Sequence, residues 1–274
     1  MEIANWRLIV SSPGRGAWNM ALDEAILESV GKGDSLPTLR FYGWDPACLS
    51  IGYAQSITEI DYEAIEQRLW DVVRRPTGGK AILHIDEFTY SVIASRAEPR
   101  IAGDVLHSYR DIAQALLMGL HLLGIPAISQ PDYSSGGIRP DTGPICFEVP
   151  SKYEITVHHK KIIGSAQARK KAGILQHGSL PLIGDGLGIV HVLRFEPGQS
   201  REDALESLSK RATTASKELN RTVSWNEAAR AFEIAFAQAL NIRLIKASPT
   251  QWEENRAEIL VLDKYNNESW TKRI

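Results

Sequence analysis

From Tyr153 onward the chain reads Tyr-Glu-Ile-Thr-Val, then His158-His159-Lys160, then Lys161-Ile-Ile-Gly-Ser-Ala. Apolar and polar residues alternate as far as Val157, a polar turn follows, and an apolar run resumes. That pattern dictates a β-hairpin, with Lys161 opposite Val157. It commits this part of the chain to an antiparallel sheet. Gly164, Ser165 and Ala166 lack bulk, so a ligand can approach the backbone there. Cys146 precedes the hairpin. A thiol and an amine on one short segment are the parts that covalent acyl chemistry needs. The same thiol reads alternatively as a small buried hydrophobe.

The remaining pattern is irregular. Strands are expected over 6–10, 39–43, 49–52, 72–74, 81–83, 88–93 and 180–183. A first helix is expected with Asn19 as its cap and Gly31 at its end. Further helices are expected over 60–69 and, with a long apolar stripe, over 105–123. Residues 131–144 are dense in Pro, Gly, Ser and Asp and read as a loop of functional size. From residue 201 the character turns helical. Ser224-Trp-Asn-Glu227 is a capping box. Ser248-Pro249-Thr250-Gln251 is a second helix start, with Pro at the first helical position. The expected fold class is α+β: a mixed, mostly antiparallel sheet flanked by helices, with a helical C-terminal segment. Residues 1–200 are expected to form the catalytic domain and 201–274 to pack on it.

Bulk properties exclude several functions. A net charge of −2 exerts no pull toward nucleic acid or anionic lipid. Two cysteines, Cys48 and Cys146, make neither a disulfide framework nor a four-thiolate metal site. No apolar run spans a bilayer. The amino terminus shows no basic region leading into an apolar one, so a cytoplasmic setting is expected.

Other segments carry candidate chemistry. Arg74-Arg75-Pro76-Thr77-Gly78-Gly79-Lys80 is not a phosphate loop, since Ala81 stands where Ser or Thr is needed. It reads either as an anion-holding turn or as a tight turn with solvated arginines. His84 and His177 lack a second ligand at metal spacing. Arg169-Lys170-Lys171 reads as a solvated loop, or as a docking patch for an acidic carrier. Cys48 reads as core.

Four stretches in order resemble the lipoate–protein ligase and octanoyltransferase family, whose catalytic domain is similar to that of biotin–protein ligases. They are Asn19-Met-Ala-Leu-Asp-Glu24, Arg74-Arg-Pro-Thr-Gly-Gly79, Lys161-Ile-Ile-Gly-Ser-Ala-Gln167 and Leu175-Gln-His-Gly178. Cys146-Phe and Pro150-Ser151, followed by Tyr153-Glu154, resemble the LipM-type octanoyltransferase branch. Ile85 departs from that branch, which usually has Asp directly after the histidine. The resemblance implies a cysteine thioester on Cys146, with Lys161 lowering the thiol's pKa. It implies an octanoyl group taken from acyl carrier protein and passed to a lysine of a lipoyl domain, such as the glycine-cleavage H protein. It implies an acyl and substrate site made of Arg75, Gly78, Gly79, Lys80, His84, Gly164, Ser165, Ala166, His177 and Gly178. No cofactor, metal, nucleic acid or membrane is expected. An ATP-dependent lipoate ligase is the alternative within the family.

Overall fold

A computed structural model describes residues 2–130, 154–195 and 200–274. Cys146 and the 131–144 loop lie outside the described residues. The chain begins with β1 (Ala4–Val10), α1 (Gly16–Lys32), β2 (Thr38–Tyr42) and β3 (Cys48–Ile51). Next come α2 (Tyr62–Glu66), β4 (Asp71–Arg74), β5 (Ile82–His84) and β6 (Glu87–Ala94). They lead into α3 (Val105–Leu122), β7 (Ile128–Gln130), β8 (Glu154–Val157), β9 (Lys160–Lys170) and β10 (Gly173–Pro181). The last part holds α4 (Arg201–Arg211), α5 (Ala215–Leu219), α6 (Trp225–Ala239), β11 (Ile242–Lys246), α7 (Gln251–Leu260) and α8 (Glu268–Thr271).

Eight strands form the main sheet in the order β11-β1-β2-β6-β10-β9-β8-β7. It is mixed: β1 runs parallel to both β11 and β2, and every later pairing is antiparallel. A small second sheet has the order β4-β3-β5.

The two faces of the main sheet are divided by the pleat. In β6, Phe88, Tyr90 and Val92 join the core cluster beneath α3 and α6. The alternate residues, Glu87, Thr89 and Ser91, are buried and polar. Their face turns toward α1 and the small sheet. Helix α1 is buried nearly all round, so it is a central rod, not a surface helix. A third apolar cluster joins the small sheet to α4 and residues 188–193.

Several local expectations are corrected. Asn19 is not a cap: α1 starts at Gly16, and the Asn19 amide sits inside, donating to the carbonyls of Gly14 and Gly43. The helix ends at Lys32 because Gly33 takes the left-handed conformation, at φ 82°. The 60–69 helix shrinks to Tyr62–Glu66, capped by Asp61. Thr250, not Ser248, caps α7, so Pro249 lies outside the helix. Ser224 caps α6, but the Glu227 carboxylate turns to Arg221. Strand β11 went unforeseen. No helix among the described residues is long and apolar enough to cross a membrane.

Candidate functional site

Between the two sheets lies a narrow, apolar-walled slot. Met20 of α1, Tyr42, Trp44, Ser50, Ile82 and Thr89 contribute to its wall. So do Arg75, His84, Gly164, Ala166, His177 and Gly178, which are expected site residues far apart in sequence.

The hairpin β8–β9 explains how Lys161 is aimed. Its turn, His158 and His159, has positive φ at both residues, 48° and 65°. That is the turn geometry whose twist suits tight hairpins. Lys160 therefore faces Val157, and Lys161 faces Thr156, one residue away from the expected register. Ile163 then faces Ile155, so a bulge intervenes. Ile162 and Ile163 both enter the core beneath α3 together with Ile155. Without the bulge Lys161 would share their face. With it, Lys161 returns to the face of Thr156, Gly164 and Ala166. Its ammonium is 2.7 Å from the Glu154 carboxylate, and both side chains are largely buried. Ser165 takes the other face, where its hydroxyl meets Tyr90 at 2.8 Å and its carbonyl accepts from Tyr109.

Glycines let the walls close. A Cβ on Gly178 would come within 2.6 Å of the Gly164 carbonyl oxygen and 2.8 Å of the Tyr90 ring. The Arg74–Lys80 turn is held from inside. Arg74 donates to the carbonyls of Gly52, Tyr53, Gln55 and Thr271. Arg75 donates to those of Ser50, Gly78 and Lys80. Both guanidiniums are buried, so neither is the solvated arginine of the alternative reading. Gly79, at φ 89°, makes the bend, and Lys80 reaches Glu59 at 3.4 Å.

Two buried histidines face the slot. His177 Nε2 is 2.7 Å from the Thr77 hydroxyl, and its Nδ1 is 3.6 Å from Asp23. Burial pulls its pKa below the ordinary value, against the pull of Asp23. Burial alone would raise the Asp23 carboxyl, but Arg40 and His177 outweigh it and hold it low. Arg40, Tyr42 and Ser91 all donate to Asp23. His84 stacks on Trp44 with centroids 3.9 Å apart. Its Nε2 is 2.7 Å from Ser50 Oγ, and its Nδ1 meets the Glu87 carboxylate. Thr89 and Ser179 donate to the same carboxylate oxygen at 2.7 Å and 2.8 Å.

Sequence reasoning missed Ser50, Trp44, Glu87, Thr89, Ser179, Asp23 and Glu154 as parts of this site. One signal was available: Glu87, Thr89 and Ser91 put three polar side chains on one face of a buried strand, a pattern that needs internal partners. Another was the i, i+4 spacing of Asn19 and Asp23 in an apolar helix. Cys48 is core as expected, and burial pushes its thiol well up, so it is inert. Arg169 and Lys170 are not a solvated loop: Arg169 grips the start of α3, and Lys170 pairs with Glu24. No cluster of metal-binding side chains occurs among the described residues.

Residues 15–237 match the family described as the lipoyl protein ligase A/B catalytic domain. The octanoyltransferase LipM of Symbiobacterium thermophilum is 41% identical, over 98% of each chain. That of Bacillus subtilis is 36% identical, over 98% of this chain and 99% of its own. Among solved structures, the bipartite lipoate protein ligase of Thermoplasma acidophilum, studied with its E2 lipoyl domain, superposes with a TM-score of 0.81 at 27% identity, covering 98% of this chain and 96% of its own. A lipoate-protein ligase A bound with ATP superposes with a TM-score of 0.78 at 28% identity, over 99% of each chain.

Proposed function

This chain belongs to the lipoyl protein ligase A/B catalytic-domain family, and from that premise we propose that it is an octanoyltransferase of lipoate biosynthesis working through a cysteine thioester. Cys146 attacks octanoyl-acyl carrier protein, and the carrier's thiol leaves. A lysine of a lipoyl domain, such as the glycine-cleavage H protein, then displaces Cys146 to form an amide. Thioester to amide is downhill, so no nucleotide is consumed. The slot receives the eight-carbon chain, each buried methylene contributing about 0.8 kcal/mol. Lys161 stabilises the Cys146 thiolate, a role that a nearby ammonium performs by lowering the thiol's pKa. Main-chain N–H groups near Gly164 to Ala166 receive the oxyanion. We read residues 1–200 as the acyltransferase unit, with 201–274 packed on it, in a cytoplasmic setting.

The observation that carries this reading is the bulge that turns Lys161 onto the face of Gly164 and Ala166, beside an apolar slot. The experiment is intact-mass measurement after mixing with octanoyl-acyl carrier protein without nucleotide. One octanoyl adduct is expected on the wild type and none on Cys146→Ala. Full transfer by Cys146→Ala overturns the proposal. The likeness to ATP-bound lipoate-protein ligase A favours a second reading, an ATP-dependent lipoate ligase. Pyrophosphate release with lipoate, ATP and apo lipoyl domain selects that one.

A further inference from the structure

We propose that Ser50, His84 and Glu87 form a nucleophilic relay that gives the protein an acyl-hydrolase activity toward medium-chain esters, with Ser50 Oγ as the attacking atom. The relay is independent of the cysteine step. It rests only on that part of the reading above that makes the slot an acyl chamber.

The fold brings the three residues together from two sheets. Strands β3 and β5 are antiparallel, with Ser50 opposite Ile82 and Cys48 opposite His84. Ser50 and His84 are therefore diagonal neighbours on one face of the small sheet, and both line the slot. Glu87 opens β6 of the main sheet, and its carboxylate meets His84 Nδ1. All three residues are buried.

Their hydrogen bonds run in one direction. Thr89 and Ser179 both donate to one oxygen of Glu87, at 2.7 Å and 2.8 Å, so the carboxylate is an acceptor throughout. The ring proton facing it sits on Nδ1. Nε2 keeps its lone pair and accepts from Ser50 Oγ at 2.7 Å. Arg75 Nη1 donates to the same Oγ at 3.3 Å, which leaves the Ser50 proton for Nε2. Nucleophile, base and orienting carboxylate in this order activate a serine hydroxyl. The buried Arg75 guanidinium also favours the negative charge that develops there. Trp44 stacks on the His84 ring at 3.9 Å and restrains it. The hydroxyl stands at the wall of an apolar slot, where a bound hydrocarbon chain would hold a carbonyl carbon beside it.

Ser50 Oγ bonds to the ester carbonyl carbon as its proton passes to His84 Nε2. The ester C–O bond breaks, and His84 gives that proton to the leaving alkoxide. Water then attacks the acylated Ser50 and loses a proton to His84. The bond from the acyl carbon to Oγ breaks, Ser50 recovers the proton, and the fatty acid leaves.

The test mixes the full-length wild type with an octyl phosphonofluoridate, whose phosphorus an activated serine attacks with loss of fluoride. One adduct is expected by intact mass, mapping to Ser50 in the peptides, with a rate that rises with pH through the ordinary histidine range. Ser50→Ala is expected to take no adduct. Glu87→Gln, checked for wild-type Tm, is expected to label about a hundredfold or more slowly, because an amide N–H facing Nδ1 moves the ring proton to Nε2. In the Cys146→Ala background, p-nitrophenyl octanoate is expected to be hydrolysed, and adding Ser50→Ala is expected to slow that about a hundredfold or more. Absence of a Ser50 adduct from the octyl probe and from a methyl phosphonofluoridate alike overturns the relay. So does hydrolysis that survives Ser50→Ala within a few-fold, or wild-type labelling of folded Glu87→Gln. Labelling of Ser50 by the methyl probe but not by the octyl one overturns the acyl-chamber reading instead.

Discussion

At Gly52 the chain passes so close to the Arg74–Lys80 turn that a Cβ would lie 1.7 Å from the Gly79 carbonyl oxygen. Backbone cannot yield as a side-chain tip can. Gly52→Ala is therefore expected to cost about 1–3 kcal/mol and to lower Tm by several degrees in calorimetry. At Gly78 a Cβ would meet nothing within 4 Å. Gly78→Ala is expected to leave Tm within a degree or so, since its φ is not in the left-handed region. At this scale the sequence was readable for small residues that let chains approach, and for Cys48. It was not readable for Arg74 and Arg75. Two adjacent arginines in a glycine turn read as solvated or anion-holding, and only the fold shows that main-chain carbonyls from two other segments, around Ser50–Gln55 and at Thr271, surround them. The Glu154–Lys161 pair was hidden for a similar reason: the partner of a charged group is set by register, and the two-residue turn at His158 and His159 sets Lys161 one residue from the expected register.

Between elements, Glu24 of α1 binds Lys170 at the end of β9, and Lys264 and Tyr265 beyond α7. Burial alone would raise the Glu24 carboxyl, yet the two lysines hold it at about 2. Its folded pKa lies below its ordinary 4.5, so it contributes stability above that value and loses it as pH falls from about 4.5 to 2. At about 1.4 kcal/mol per unit this amounts to roughly 3 kcal/mol. Burial pulls Lys264 down despite Glu24, but that acts near the alkaline titration of lysine and leaves the acid window to Glu24. Urea unfolding at stepped pH should show the loss, and Glu24→Gln should flatten it over that window while being less stable at pH 7. The long, strongly periodic elements were legible: α3 was placed within a residue, and the hairpin was found. Short elements with weak periodicity were not. The stretch 60–69 suggested a helix twice as long as the one Asp61 caps, and Ile242-Arg-Leu-Ile-Lys246 alternates too briefly to announce an edge strand.

Across the whole molecule, distant parts of the chain converge on the slot. Trp270 Nε1 donates to the Arg74 carbonyl at 2.9 Å, and Arg74 Nε returns a bond to the Thr271 carbonyl at 3.0 Å. The Ile274 carbonyl accepts from Ile57, and Arg273 bonds the Tyr53 carbonyl. Removing residues 268–274 is expected to preserve far-UV circular dichroism, because the sheets and long helices do not depend on α8. It is expected to lower octanoyl transfer about a hundredfold, the scale at which small displacements of site residues act. No single-sequence pattern announces such convergence, because it depends on topology. A helical tail was visible, but not that its last residues brace the turn at Arg74 or that β11 completes the sheet beside β1.

That bracing has a consequence for how the protein comes into being on the ribosome. Strand β1 emerges first yet gains its outer neighbour only when residues 242–246 arrive, and Arg74 waits longer still for Thr271. Hairpins and helices can form during translation, but the slot acquires its final shape among the last events. On the cysteine reading proposed above, a half-made polypeptide carries the thiol without the finished chamber around it.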